Sequence, residues 1–223
     1  MLWGINNCKM DVFEELADEL GVKSSLIKKV LYTDIENYFV FSIPKRNEER
    51  RYISAPKGSL KFLQRKVLSM IERYYNPLEC VTGFITKRGI ILNANKHLPS
   101  RYVLNIDLKN FFDTINFGRV RGMFMKEPFG FSDSKSTILA QIVCNDNKLP
   151  QGAPTSPIIS NIIAYKLDKT LEKFCKHNHC KYSRYADDIT ISTNSFGFPR
   201  NIAYKEKTGE VFLTEKVKGI IEN

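Results

Sequence analysis

Apolar residues recur at helical spacing through the first third of the chain. Val12, Phe13, Leu16, Ala17 and Leu20 share one face over residues 11–20, and Gly21 follows as a stop signal. Residues 24–32 predict a second short helix. Residues 38–43 and 51–54 switch to strand character and are separated by the charged residues 45–50, which predicts a hairpin with a basic tip. Leu60, Leu63, Val67, Leu68 and Ile71 then mark an amphipathic helix over 60–74, with Lys61, Arg65 and Lys66 on its wet side. Further helices are predicted over 117–126, 134–145, 155–176 and 214–221, and strands over about 101–107, 180–184 and 188–193. Between 194 and 209 the pattern weakens into Gly, Pro and charge. The mixture is that of an α+β protein.

Composition narrows the partners. With 223 residues and 43% hydrophobic content, the chain can bury a sizeable core. Lys+Arg 34 against Asp+Glu 24 leaves a net charge of +10, which points to a polyanionic partner. Cys8, Cys80, Cys144, Cys175 and Cys180 form no paired framework and no cleavable signal precedes them, so a reducing cytoplasm is expected. No apolar run approaches the roughly 18 residues that span a bilayer, so no membrane partner is expected. Cys175, His177, His179 and Cys180 are all metal-ligating types, but their spacing suits one tetrahedral zinc poorly. This segment reads instead as the end of one helix and the start of the strand leading to Tyr185.

The densest chemistry is Tyr185-Ala186-Asp187-Asp188, where two adjacent carboxylates fall at a tight turn between two strand-like runs. Such a pair repels itself and persists most easily where cations neutralise it. Asp107, at the end of an apolar strand and before Phe111-Phe112, is a third candidate. Two Mg²⁺ ions about 3.5 to 4 Å apart, held by three such carboxylates, can activate an attacking hydroxyl and stabilise a leaving pyrophosphate. A second signal is the run from Leu149 to Pro157, Leu-Pro-Gln-Gly-Ala-Pro-Thr-Ser-Pro. It makes a rigid turn that opens a helix, a setting that favours anions or a nucleic-acid backbone.

In order along the chain, Asp107 with Phe111-Phe112, the run from Pro150 to Pro157 with Ser160-Asn161, and Arg184 to Asp188 resemble bacterial reverse transcriptases, the retron type best of all. The resemblance begins at Ile43-Pro44-Lys45-Arg46. It runs through Arg51, Ile53, Pro56, Leu60-Lys61 and Gln64 to Gly83-Phe84 and Asn93-Ala94 with His97, and covers roughly residues 36–223. The resemblance implies fingers and palm of a right-hand polymerase, with an antiparallel palm sheet and no thumb before the chain ends. Residues 1–35 would be an N-terminal helical segment, 36–100 fingers, and 101–223 palm with a fingers insertion at about 116–150.

Carried over by position, Asp107, Asp187 and Asp188 match the catalytic, Mg²⁺-holding aspartates. Phe112 falls at the steric gate against a ribose 2′-hydroxyl, with a core aromatic as the plainer alternative. Gln151 and Arg51 match contacts to the incoming nucleotide, assisted by Lys45 or Arg46. Asn93 and His97 match residues that contact the cognate RNA, the alternatives being a turn cap and a satisfied histidine. Val81-Thr82-Gly83 imitates an element that retron enzymes carry elsewhere, beyond the carboxylate hairpin. The implied activity is RNA-directed DNA synthesis from a structured non-coding RNA and dNTPs, giving an RNA–DNA hybrid, with a role in anti-phage defence beside an effector protein. The alternative is a truncated or split fragment that binds RNA with little polymerase activity of its own. Gly152-Ala153 weighs against a group II intron relative, which usually shows Gly-Gly there.

Overall fold

The structure is a computed structural model that describes residues 11–44 and 50–222. Along the chain the elements are α1 (Val12–Leu20), α2 (Ser24–Tyr32), β1 (Tyr38–Pro44), β2 (Arg50–Pro56), α3 (Gly58–Glu72), α4 (Ile90–Lys96), β3 (Tyr102–Asp107) and α5 (Phe117–Met125). They continue with α6 (Asp133–Val143), α7 (Ser156–Ile163), α8 (Tyr165–His177), β4 (Lys181–Tyr185), β5 (Asp188–Thr193), β6 (Ala203–Lys205), β7 (Val211–Leu213) and α9 (Glu215–Glu222). The architecture is α+β. The chain divides into two compact units, one of residues up to Tyr74 with Phe112–Ser156, the other of Tyr75–Phe111 with Pro157–Asn223.

The first unit is mostly helical. Asp11 caps α1 by accepting from the Phe13 N–H, and Gly21 ends it at φ 62°, a left-handed value that glycine adopts without steric cost. Leu16 and Leu20 of α1, Ile27 and Val30 of α2, Leu63, Val67 and Met70 of α3, and Leu139 and Ile142 of α6 form a buried core. Gln64 is buried among them and donates to the Ile142 carbonyl at 2.9 Å and the Tyr38 hydroxyl at 3.1 Å, which ties β1 to the helices. β1 and β2 pair antiparallel from Tyr38↔Pro56 to Pro44↔Arg50.

The second unit is built on an antiparallel sheet of order β3-β5-β4. Pleating gives it two unlike faces. Leu104, Ile106, Tyr182, Ile189 and Ile191 turn to one face, where they meet Leu171 and Cys175 of α8 and Val217 of α9. Val103, Asn105, Asp107, Ser183, Asp188, Thr190 and Ser192 alternate with them and take the other face.

Three local features differ from the sequence reading. α4 was not predicted, because Ile90, Ile91 and Leu92 point outward and only the following His97 is buried, so no amphipathic period marks it. The weak stretch after 194 contains the β6–β7 hairpin, whose three-residue strands are too short to show alternation. The single helix predicted over 155–176 is two, α7 and α8, interrupted at Ala164 with ψ −2°. Cys175 to Cys180 joins α8 to β4, and both cysteines are buried there, with their thiols pushed up by burial.

Candidate active site on the three-stranded sheet

Asp107 is the last residue of β3 and Asp188 the first of β5, and the register places them directly opposite each other on the same sheet face. Tyr185 pairs with Asp188, so Ala186 and Asp187 form a two-residue hairpin loop. This turn is strained. Ala186 has φ 57°, a left-handed conformation that costs a non-glycine residue roughly 1–2 kcal/mol. Asp188 and Asp107 are exposed and Asp187 half-buried. Among the described residues, none of the three forms an ion pair. Partial burial, then the neighbouring Asp187 and Asp107 carboxylates, push the Asp188 pKa above the ordinary value.

No three His, Cys, Asp or Glu side chains among the described residues stand close enough together to grip a metal ion as placed. The donor set nonetheless fits one: all-oxygen ligands that repel one another and have no cationic partner among the described residues suit a hard divalent cation.

The turn is held from behind by a buried network. Arg184 of β4 and Asp168 of α8 are each 0% exposed and form a two-pronged pair, with Nε to Oδ1 and Nη2 to Oδ2 both at 2.7 Å. The Tyr182 hydroxyl donates to Asp168 Oδ1 at 2.7 Å. Arg184 Nη1 reaches past the pair to the Ala186 carbonyl at 2.7 Å and to Asn161 Oδ1 at 3.1 Å. Asn161 in turn donates to the Gly83 carbonyl at 3.0 Å. The backbone of Cys80–Thr82 runs beside β4, with Arg184 N–H donating to the Cys80 carbonyl and Thr82 N–H to the Arg184 carbonyl, both at 2.9 Å. Gly83 then packs so tightly under the turn that a Cβ would lie 2.3 Å from the Ala186 nitrogen. On the strand side, the Leu108 N–H donates to the Asp187 carbonyl at 3.0 Å. The strained turn is thus braced on both sides, by the Ala186 and Asp187 carbonyls and by Gly83 beneath it.

Asn93 and His97 lie on the carboxylate face of the same sheet but are engaged within the protein. His97 is buried, and its ring bridges the Ser192 and Ser183 hydroxyls, each at 2.7 Å. Burial, then Lys181 and Lys96, lower its pKa, so the ring is held neutral, accepting at one nitrogen and donating at the other. Asn93 Oδ1 accepts from Thr82 at 2.8 Å and Ser183 at 2.7 Å. Both residues therefore clamp α4 to β4 and β5.

In the first unit, Arg51 is exposed on β2. The loop from Leu149 docks on that hairpin. The Ser54 N–H donates to the Gln151 carbonyl at 2.7 Å, and Gly152, at φ 120°, would place a Cβ 2.8 Å from Ile53 Cγ2. Phe112 is half-buried, and its backbone carbonyl accepts from the Ile115 N–H. Lys45 and Arg46 lie outside the described residues. The supporting residues Asp168, Arg184, Asn161 and Gly83 were not read as functional from sequence. A signal for Asp168 existed: it is the acidic member of the otherwise apolar stripe Ala164, Asp168, Leu171 and Cys175.

These features define a protein with paired carboxylates on an antiparallel sheet, and comparison with known proteins supplies the family. Residues 43–197 match the reverse transcriptase (RNA-dependent DNA polymerase) family, to which the chain belongs. It is 32% identical over 188 residues to Retron Ec86 reverse transcriptase from Escherichia coli, covering 83% of this chain and 58% of that protein. With Retron Mx162 reverse transcriptase from Myxococcus xanthus it shares 34% identity over 236 residues, 96% of this chain and 48% of the relative. With Retron Ec83 reverse transcriptase from Escherichia coli the figures are 35% over 167 residues, 71% and 53%. The similarity is thus to the retron type, and the chain spans about half the length of these relatives. No helix of the described residues is long and apolar enough to cross a membrane.

Proposed function

We propose that this chain carries the fingers and palm of a retron-type RNA-directed DNA polymerase, with its chemistry at Asp107, Asp187 and Asp188. The observation that carries the reading is the register Asp107↔Asp188 beside a turn bearing Asp187, on a sheet face with no cationic partner among the described residues. Two Mg²⁺ ions bound there would lower the pKa of a primer hydroxyl and neutralise charge building on the leaving pyrophosphate. The three carboxylates would hold and space the cations. The Arg184 network would keep the turn from yielding as charge accumulates.

Arg51 and Gln151 are assigned to the incoming nucleotide and Phe112 to discrimination against its 2′-hydroxyl. Arg51 and Gln151 belong to one piece of structure, since the Gln151 backbone is hydrogen-bonded to β2. Asn93 and His97 are assigned to the RNA side, acting through the surface of α4 that their hydrogen bonds to the sheet position. The template and primer would be a structured non-coding RNA, the product an RNA–DNA hybrid, and the setting anti-phage defence with an effector protein.

The test is dNTP incorporation on a primed RNA template with Mg²⁺, comparing the chain with its Asp187→Asn variant. Incorporation by the chain that disappears in the variant supports the proposal. RNA binding that weakens steeply with salt, without incorporation, selects the second reading. That reading is an RNA-binding portion with little activity of its own, and it draws on the net charge of +10.

A further inference from the structure

The back of the sheet carries a second charged surface. α8 turns Asp168, Leu171 and Cys175 towards the face that bears Tyr182 and Arg184, opposite the one that bears Asp107 and Asp188. Its outer side holds Lys166, Lys169, Lys173 and Lys176, all exposed and spaced i, i+3, i+7 and i+10. Ten residues of helix rise about 15 Å, so these ammonium groups form a stripe of that length. Lys216 of α9 faces the stripe. With Tyr165 and Phe174 these lysines line an open trough of about 1010 Å³ that contains no acidic side chain.

Glu172 pairs with Lys176 at 3.2 Å. Among the described residues, Lys166, Lys169, Lys173 and Lys216 have no acidic partner. Lys169 rests 5.9 Å from the centre of the Tyr165 ring, and Lys216 4.9 Å from that of Phe174. Like charges at helical spacing repel by a few tenths of a kcal/mol per pair. The stripe is the mirror image of the carboxylate cluster: unneutralised charge, here positive, awaiting a counter-charge. A small anion needs converging donors, whereas lysines strung over 15 Å match a row of phosphates. The exposed Tyr165 adds a ring face on which a base can stack.

We propose that the α8–α9 trough docks the phosphate backbone of an unpaired RNA segment, holding it on the side of the sheet away from the carboxylates. This rests on the reverse transcriptase reading for the presence of RNA, but names a contact separate from the strand being copied. Its test is a triple variant, Lys169→Glu, Lys173→Glu and Lys216→Glu, in the full chain, with the matching Lys→Gln variant to separate charge from shape. Binding of a labelled RNA hairpin with a single-stranded flank is measured between 50 and 200 mM salt. Incorporation on a short, saturating poly(rA)·oligo(dT) is measured in parallel, and thermal unfolding checks the fold.

The expected result is an affinity at least about 10-fold lower at 50 mM salt and a log–log salt slope reduced by about 2, since each single-strand phosphate contact contributes roughly 0.7. The Gln variant should fall between, with unfolding and incorporation unchanged. Unaltered affinity and slope in the Glu variant would overturn the proposal. So would intact hairpin binding with loss of binding to phosphatidylserine vesicles, which would assign the trough to a membrane surface. Loss of incorporation on the short duplex would also overturn it, because the trough would then belong to the copying path. The polymerase reading stands or falls separately, on incorporation by the unmodified chain against Asp187→Asn.

Discussion

The two faces of the β3-β5-β4 sheet handle negative charge in opposite ways. On the covered face, Asp168 is fully buried and takes hydrogen bonds from Arg184 and Tyr182. On the other face, Asp107 and Asp188 stand exposed opposite each other without a cation among the described residues, and partial burial, then repulsion from Asp187 and Asp107, raises the Asp188 pKa. A buried carboxylate that is fully partnered is part of the scaffold. Exposed carboxylates without a cationic partner, on a braced turn, have no such role in holding the fold together. The faces meet at one residue, because Arg184 pairs with Asp168 and also hydrogen-bonds the turn that carries Asp187.

Substitutions on the two faces should separate stability from activity. The largest effect is expected from Asp187→Asn, which removes a ligand charge from the carboxylate face. Incorporation should drop by about 10³-fold or more, several kcal/mol of transition-state stabilisation, while the midpoint of thermal unfolding stays within a few degrees. A variant that kept even a tenth of the activity would sink the metal-carboxylate assignment.

Next comes Asp168→Ala, which strands a buried guanidinium. It should cost about 3–5 kcal/mol, on the order of 10 °C in the unfolding midpoint. The double replacement Asp168→Leu with Arg184→Met should recover much of the stability without recovering activity, since the hydrogen bond to the Ala186 carbonyl stays lost. A destabilisation below about 1 kcal/mol in denaturant titration would show that the pair is not the keystone described here.

Gly83→Ala probes the junction. Its Cβ would meet the Ala186 nitrogen at 2.3 Å, and because both partners are backbone the turn must shift. A cost of about 1–3 kcal/mol is expected, with incorporation reduced more than stability alone explains and a weaker response to Mg²⁺. Full activity would mean that the turn tolerates displacement.

The smallest effect reports the partial burial of Asp188 together with repulsion from its neighbours. The folded-state pKa of Asp188 is raised above its unfolded value, so ionising it opposes folding. Without divalent cations, stability should therefore fall as pH rises from the ordinary carboxylate value through the raised one, and then level off. Asp188→Asn should remove that slope and raise the midpoint at neutral pH by about 1–2 °C. Added Mg²⁺ should stabilise the unmodified chain more than the variant, and an identical response in both would contradict a cation site at Asp188.

Much of this was legible in sequence where the signal is local. The amphipathic helices α1 to α3, the strands flanking Tyr185 to Asp188 and the three aspartates all follow from periodicity and residue type, as does the α+β class. α4 was not legible, because a seven-residue helix with Ile90 and Ile91 facing out carries no period. His97 illustrates the limit well. As a residue it reads as a surface ligand or a satisfied histidine, and only the approach of Ser183 and Ser192, about 90 positions away, shows that both ring nitrogens are occupied.

What the sequence determined by itself is chemistry carried by neighbours in the chain: the adjacent carboxylates, the rigid run from Pro150, the surplus of positive charge and the family these identify. What only the tertiary structure decided is which charges are neutralised. Asp168 and Asp188 are the same residue type, and their local patterns differ, but neither pattern says which cation, if any, neutralises the charge. Arg184 belongs to the same β4–β5 hairpin as Asp188, yet the packing of α8 against β4 delivers it to Asp168. Pairing of charges depends on distances set by long-range packing, and for that reason the distinction between scaffold and site emerged only once the sheet had two faces.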